Sequence, residues 1–211
     1  MISKKGFTLF EVLIVITIMA IIAVAALTST INTQKQFVFI NTFKSLISKI
    51  KEPRLFAVTQ KAVDLKNGTT GIPSSYGVEI KKDGNIVAVT VFADLEDSSK
   101  SNEYDSEDTS IGQSYTFDAL KYSLTVKDDN KTEISYANIQ TGNKLTFIYS
   151  PSEIRMRIFA KDPADAIHQI SEPYIYLTLT SSTNSQLTKN MVVFLKSGIV
   201  EEIQDVDQIL Q

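Results

Sequence analysis

At 211 residues, 43% hydrophobic and 21% charged, the chain has room for a hydrophobic core of its own, which excludes a disordered tail. Its formal net charge of −3 gives no general electrostatic reason to hold nucleic acid. The absence of cysteine excludes disulfides, cysteine nucleophiles and thiolate metal sites.

Residues 1–6, Met-Ile-Ser-Lys-Lys-Gly, form a short basic leader ahead of residues 7–27, whose only polar side chains are Thr8, Glu11 and Thr17. As a helix, 21 residues span about 31 Å, enough to cross a bilayer. The ten Leu, Ile and Val residues between 12 and 27 favour insertion by about 3 to 6 kcal/mol. Glu11 opposes it by at most about 3 kcal/mol, and by less near the interface. Lys4 and Lys5 favour a cytoplasmic N-terminus by the positive-inside rule, which predicts that the rest of the chain lies outside. Ala23-Val24-Ala25 and Val24-Ala25-Ala26 offer small residues at which a secretory signal could be cut, but the run is too long for one and holds a carboxylate near its start.

Lys4-Lys5-Gly6-Phe7-Thr8-Leu9-Phe10-Glu11-Val12-Leu13 resembles the cleavage and methylation signal of type IV prepilins and pseudopilins: a basic leader ending in Gly, then Phe, then an acid at the fifth mature position. The resemblance implies cleavage between Gly6 and Phe7 by a prepilin peptidase, N-methylation of Phe7, and assembly with other pilin or pseudopilin subunits through the retained helix, with Glu11 as the assembly residue. Losing Lys4 and Lys5 lowers 21 basic residues to 19 against 24 acidic ones, a net charge of −5 with His168 neutral.

Beyond residue 27, Phe39, Phe43, Leu46, Ile47 and Ile50 recur at spacings of three and four among Asn41, Lys44, Ser48, Lys49 and Lys51, which predicts an amphipathic half that offers one face to a domain. From residue 7 to 52 the helix would run about 70 Å. Pro53, at a cost of about 3 kcal/mol inside a helix, predicts a kink or an element boundary, with further turns over 54–61. This divides the chain into a leader (1–6), a transmembrane half (7–34), an amphipathic half (35–61) and an exported domain (62–211).

After residue 60, β-like runs at 62–66, 76–80, 86–92, 115–117, 122–126, 144–149, 154–159, 174–180 and 191–195 are bounded by Gly, Pro, Asn and Asp. Lys82-Asp83-Gly84-Asn85 predicts a hairpin between two of them. Residues 94–113 and 161–173 read as the long loops. The fold class is therefore α+β, a long N-terminal helix packed on an antiparallel sheet. The order of these elements, with Tyr76-Gly77-Val78, Val192-Val193-Phe194 and Ser197-Gly198-Ile199-Val200, resembles H-type pseudopilins and FimT-like minor pilins. The chain departs from that pattern at Ala20, where many members have Gly, and at Ile148-Tyr149-Ser150-Pro151-Ser152, which lacks a Gly after Pro.

Residues 94–108 hold seven acids and one lysine, and Asp94, Asp97, Asn102 and Asp105 are the candidate oxygen ligands for Ca²⁺. The spacing is not that of an EF-hand, and a solvated acidic loop with no cofactor is the preferred reading. His168, the only histidine, lacks partners for a zinc site and reads as a surface or cap residue. No triad, nucleophile elbow, P-loop or dinucleotide fingerprint is present, so the chain is not expected to be an enzyme. FimT-like proteins linked to DNA uptake would be expected to carry a basic C-terminal region. Here residues 198–211 hold Glu201, Glu202, Asp205 and Asp207, and no nucleic acid partner is expected. The sequence thus predicts a minor pilin or pseudopilin of a type IV pilus or type II secretion-like filament, anchored in the cytoplasmic membrane with its C-terminal domain outside. The alternative is a membrane-anchored binding module that never enters a filament.

Overall fold

The computed structural model describes residues 8–64, 70–94, 108–139, 143–150, 155–164, 166–184 and 186–203. Two compact units divide the chain, Met1–Asn41 and Thr42–Gln211.

Helix α1 covers Leu9–Thr59. Neither Gly nor Pro interrupts it before Pro53. In the first unit, every described side chain from 8 to 38 is exposed, Leu9, Phe10, Met19, Ile21 and Leu27 among them. An apolar surface of that extent requires a bilayer or other apolar helices to cover it. The hydroxyls of Thr17, Thr28, Thr30 and Thr33 donate to the carbonyls of Leu13, Val24, Ala26 and Ser29 at 2.8 to 3.0 Å, so these polar groups are satisfied inside the helix itself.

The second unit begins with the remainder of α1. Phe43, Leu46, Ile47 and Ile50 are buried, as the three-and-four spacing predicts, while Lys44, Ser48 and Lys51 are exposed. The boundary expected at Pro53 is not there, and α1 is helical on both sides of it. Pro53 and Ala57 are buried and extend the stripe begun by Leu46 and Ile50. Packing of that continuous face outweighs the lost backbone donor. The helix ends at Gln60, left-handed at φ 48°, where the N–H groups of Gln60 and Lys61 donate to the carbonyls of Ala57 (3.3 Å) and Phe56 (3.0 Å), a Schellman closure.

Strands follow in the order β1 (Val63–Asp64), β2 (Thr70–Gly71), β3 (Ser75–Asp83), β4 (Ile86–Asp94), β5 (Thr109–Ser110), β6 (Tyr115–Asp118), β7 (Tyr122–Lys127), β8 (Lys144–Tyr149), β9 (Met156–Lys161), β10 (Ile167–Ile170), β11 (Tyr174–Ser181), β12 (Thr188–Phe194) and β13 (Ile199–Ile203). Instead of one sheet they form three, with every pairing antiparallel. A seven-stranded sheet runs β10-β9-β8-β3-β4-β5, with β6 also on β4; a four-stranded sheet runs β13-β12-β11-β7; and β1 pairs β2. The predicted hairpin joins β3 to β4 through Gly84-Asn85, with Asp83 opposite Ile86 and Gly84 at φ +56°, a value a glycine adopts without strain. Both expected long loops hold a strand, β5 in the first and β10 in the second.

Register assigns the faces of the large sheet. Tyr76, Val78 and Ile80 of β3 pair with Ala93, Val91 and Val89 of β4 and with Tyr149, Phe147 and Leu145 of β8, and all are buried. The Phe56 ring of α1 lies 6.1 Å from that of Tyr76, the Tyr76 hydroxyl donates to the Lys61 carbonyl, and the Lys61 ammonium sits 4.0 Å over the Phe56 ring. This is the face that α1 covers. On the opposite face Phe92, Ile148 and Phe159 form a second buried cluster, and the ring of Phe92 occupies the space that a Cβ on Gly77 would need. The two large sheets are joined through backbone: the N–H of Met156 donates to the Leu195 carbonyl at 2.8 Å.

Candidate functional site

Glu11 stands in the first turn of α1. Thr8, just ahead of the helix, is its cap. Both the backbone N–H and the hydroxyl of Thr8 donate to Glu11 Oε2, at 2.8 and 2.9 Å, and the Glu11 N–H donates back to Thr8 Oγ1 at 3.2 Å. This reciprocal capping box satisfies donors that a helix start leaves unpaired and sets a carboxylate at the positive end of the macrodipole. Sequence reasoning missed Thr8, although the signal was present as Thr-x-x-Glu ahead of an apolar run. Gly6 and Phe7 lie outside the described residues.

Residues 1–27 match the family model described as the prokaryotic N-terminal methylation motif. The chain carries a type IV pilin-like prepilin signal. No curated protein and no solved structure matches the chain. The prepilin signal marks it as a substrate of prepilin peptidase and implies assembly with other pilins in general. Among the described residues α1 is the one helix long and apolar enough to cross a membrane, which fits a membrane-anchored protein with a C-terminal domain.

Of the residues singled out as calcium ligands, Asp94, Asp97, Asn102 and Asp105, only Asp94 is among the described residues. Asp94 ends β4 and is buried. Its Oδ2 accepts the Ser75 hydroxyl at 3.0 Å, and its backbone carbonyl accepts the N–H and hydroxyl of Ser74 at 3.1 and 2.9 Å. It therefore pins the open end of the β3–β4 hairpin. Asp97, Asn102 and Asp105 lie outside the described residues. No group of three or more His, Asp or Glu able to hold a metal occurs among the described residues.

His168 lies on β10, where its Nε2 is 3.3 Å from Asp162 Oδ2 and its ring is 4.6 Å from that of Tyr136. The other oxygen of Asp162 accepts the N–H groups of Ala164 and Ala166 at 2.9 and 3.0 Å. The Ala166 N–H first, then the His168 ring, holds the Asp162 carboxyl below the usual range. Asp162 thus caps the turn that leads into β10, with His168 at its side.

The sequence reading also passed over a cleft in the second unit. Its volume is ≈ 690 Å³ and it is lined by Arg155, Arg157, Glu172 and Lys196 among others.

Proposed function

We propose that this chain is a structural subunit, a minor pilin or pseudopilin, of a type IV pilus or type II secretion-like filament. In this reading a prepilin peptidase cuts after Gly6 on the cytoplasmic side, Phe7 is methylated, and the domain stands outside the cytoplasmic membrane until the helix enters the filament. We assign it no catalytic role and no resident cofactor. The observation that supports the reading most directly is the joining of a methylation motif to an exposed apolar helix whose only acid between residues 9 and 38, Glu11, stands in the first turn.

Cleavage creates an amine at Phe7, four residues ahead of Glu11 in the sequence. That amine, in the same chain or in a neighbouring subunit, would neutralise the carboxylate in an apolar surround. The pair across subunits is favoured, because it forms only on assembly, where low dielectric strengthens it.

Intact-mass analysis of the protein from its own cells tests the reading. The mature chain is expected to begin at Phe7, six residues shorter than the precursor and one methyl group heavier than that cut chain. A start near Ala26 would replace this reading with secretion, and a start at Met1 or Ile2 would replace it with a plain anchored binding module.

A further inference from the structure

The cleft lined by Arg155, Arg157, Glu172 and Lys196 is formed where three segments meet: the start of β9, the turn from β10 into β11, and the end of β12. Its walls are held by backbone, since the Met156 N–H donates to the Leu195 carbonyl at 2.8 Å and the Leu195 N–H to the Pro173 carbonyl at 3.0 Å. At ≈ 690 Å³ it is within the size range of small-ligand sites. The whole chain has only three arginines, Arg54, Arg155 and Arg157, and two of them line this cleft. Arginine is the side chain whose planar fork matches phosphate and carboxylate oxygens. Arg157 is steadied by donating from Nη2 to the Ser150 hydroxyl at 3.3 Å, which leaves its other N–H groups for a ligand. Among the described residues no ion pair or side-chain hydrogen bond engages Arg155 or Lys196.

Glu172 narrows the chemistry. Its Oε2 is buried and has no hydrogen-bond partner among the described residues. A carboxylate oxygen in that position calls for a donor. An anion without protons supplies none and inorganic phosphate brings only its own P–OH, whereas a phosphate ester of a polyol or sugar brings an anion for the arginines and separate hydroxyls for Glu172. A DNA strand offers phosphates without free hydroxyls along its backbone.

We propose that this cleft binds a polyol or sugar phosphate, with Arg155, Arg157 and Lys196 on the phosphate and Glu172 on a neighbouring hydroxyl. Arg157 belongs to the sheet face that α1 leaves uncovered, because it pairs with Ile148 and not with the row of Tyr149 and Phe147. The site therefore does not lie under α1.

Isothermal titration of the full chain in a polyoxyethylene detergent at low salt tests the proposal, using glycerol 3-phosphate, inorganic phosphate, glycerol, short poly(glycerol phosphate) and a single-stranded DNA oligonucleotide. Glycerol 3-phosphate is expected to bind about tenfold more tightly than inorganic phosphate, and glycerol alone not at all. Poly(glycerol phosphate) binding more tightly than the monoester would identify a polymer as the source, and equal affinity per phosphate the free ester. Arg155→Ala, at an exposed position, should weaken binding by about tenfold, and Arg157→Lys should do the same by losing the fork while keeping the charge. Glu172→Gln should tighten inorganic phosphate and shrink the preference for the ester, a sign that misfolding would not produce. Absence of heat with both phosphates, equal affinity for phosphate and ester, or tighter binding of DNA than of either would overturn the proposal.

Discussion

The Tyr149 hydroxyl donates to the Gly198 carbonyl at 3.1 Å, and the Arg54 Nε–H of α1 donates to the Ser197 carbonyl beside it at 3.1 Å. One turn between β12 and β13 is thus held by the helix and by the large sheet. Gly198 is left-handed at φ +62°, and the Tyr149 ring fills the place where a Cβ would stand, so Gly198→Ala meets both strain and a clash. Burial pushes the Tyr149 hydroxyl up from its ordinary value, with the Arg54 charge pulling the other way by less. The fold therefore favours the protonated phenol. Its contribution to stability is complete below the unfolded value of about 10 and is lost as pH rises through the higher folded value. Tyr149→Phe is expected to cost about 1 kcal/mol near neutral pH through the lost hydrogen bond and to flatten the fall in melting temperature on the alkaline side. Thermal melts of wild type and variant from pH 8 to 11 check this, and parallel curves would remove Tyr149 as a source of the alkaline loss.

Within the second unit the part of α1 from Thr42 onward supplies the apolar stripe that covers β3, β4 and β8, so its removal would expose Tyr76, Val78 and Phe147. A chain shortened to residues 35–211 keeps that stripe and discards the membrane half, and is expected to be soluble with a β-rich circular dichroism spectrum. Since Asp94 is committed to Ser75, the same chain is expected to melt at one temperature in excess calcium and in chelator; a rise of several degrees with calcium would show a site in residues 94–108. The helix and the longer strands were legible because their signals are local: the spacing of Phe43, Leu46, Ile47 and Ile50, the alternation around Val87, Val89 and Val91, and the Gly84-Asn85 turn. Pro53 was misread as a boundary because its local cost is outweighed by packing that no local pattern shows. Strand β10, Ile-His-Gln-Ile, has too few apolar residues to announce itself, and its order depends on pairing with β9. The division into separate sheets is non-local, as is the cleft, whose Arg157, Glu172 and Lys196 meet only through backbone bonds between distant segments. Thr8 was legible in the capping-box spacing, whereas Asp94 looked like a loop acid because nothing in its neighbours reveals Ser75.

For the molecule as a whole the decisive question is what Glu11 does once the leader is gone. In the uncut chain the carboxylate is held by Thr8 within its own helix, an arrangement that gains little at an exposed helix end. That is too little to account for placing an acid in a run that a bilayer must accept. Insertion itself is safe, since the ten Leu, Ile and Val residues from 12 to 27 outweigh one acid near the interface. Removing the charge should therefore leave insertion and cleavage intact. In a filament, by contrast, an uncompensated carboxylate among apolar helices would be costly, and a neighbour's amine at Phe7 relieves that cost only at one axial offset. On the proposed reading the charge would then set the register of assembly. Glu11→Leu is expected to reach the membrane pool at normal levels, to show the mature mass beginning at Phe7, and to enter filaments about tenfold less than wild type, equivalent to about 1.4 kcal/mol. Thr8→Val, which removes the hydroxyl but keeps the backbone N–H that also serves Glu11, is expected to assemble nearly normally. Filament-associated and membrane-pool protein quantified side by side for the three chains separates the roles. Equal incorporation of Glu11→Leu would leave the acid as a helix cap and nothing more, and a Thr8→Val chain as defective as Glu11→Leu would place the requirement on the cap instead of on the pair between subunits.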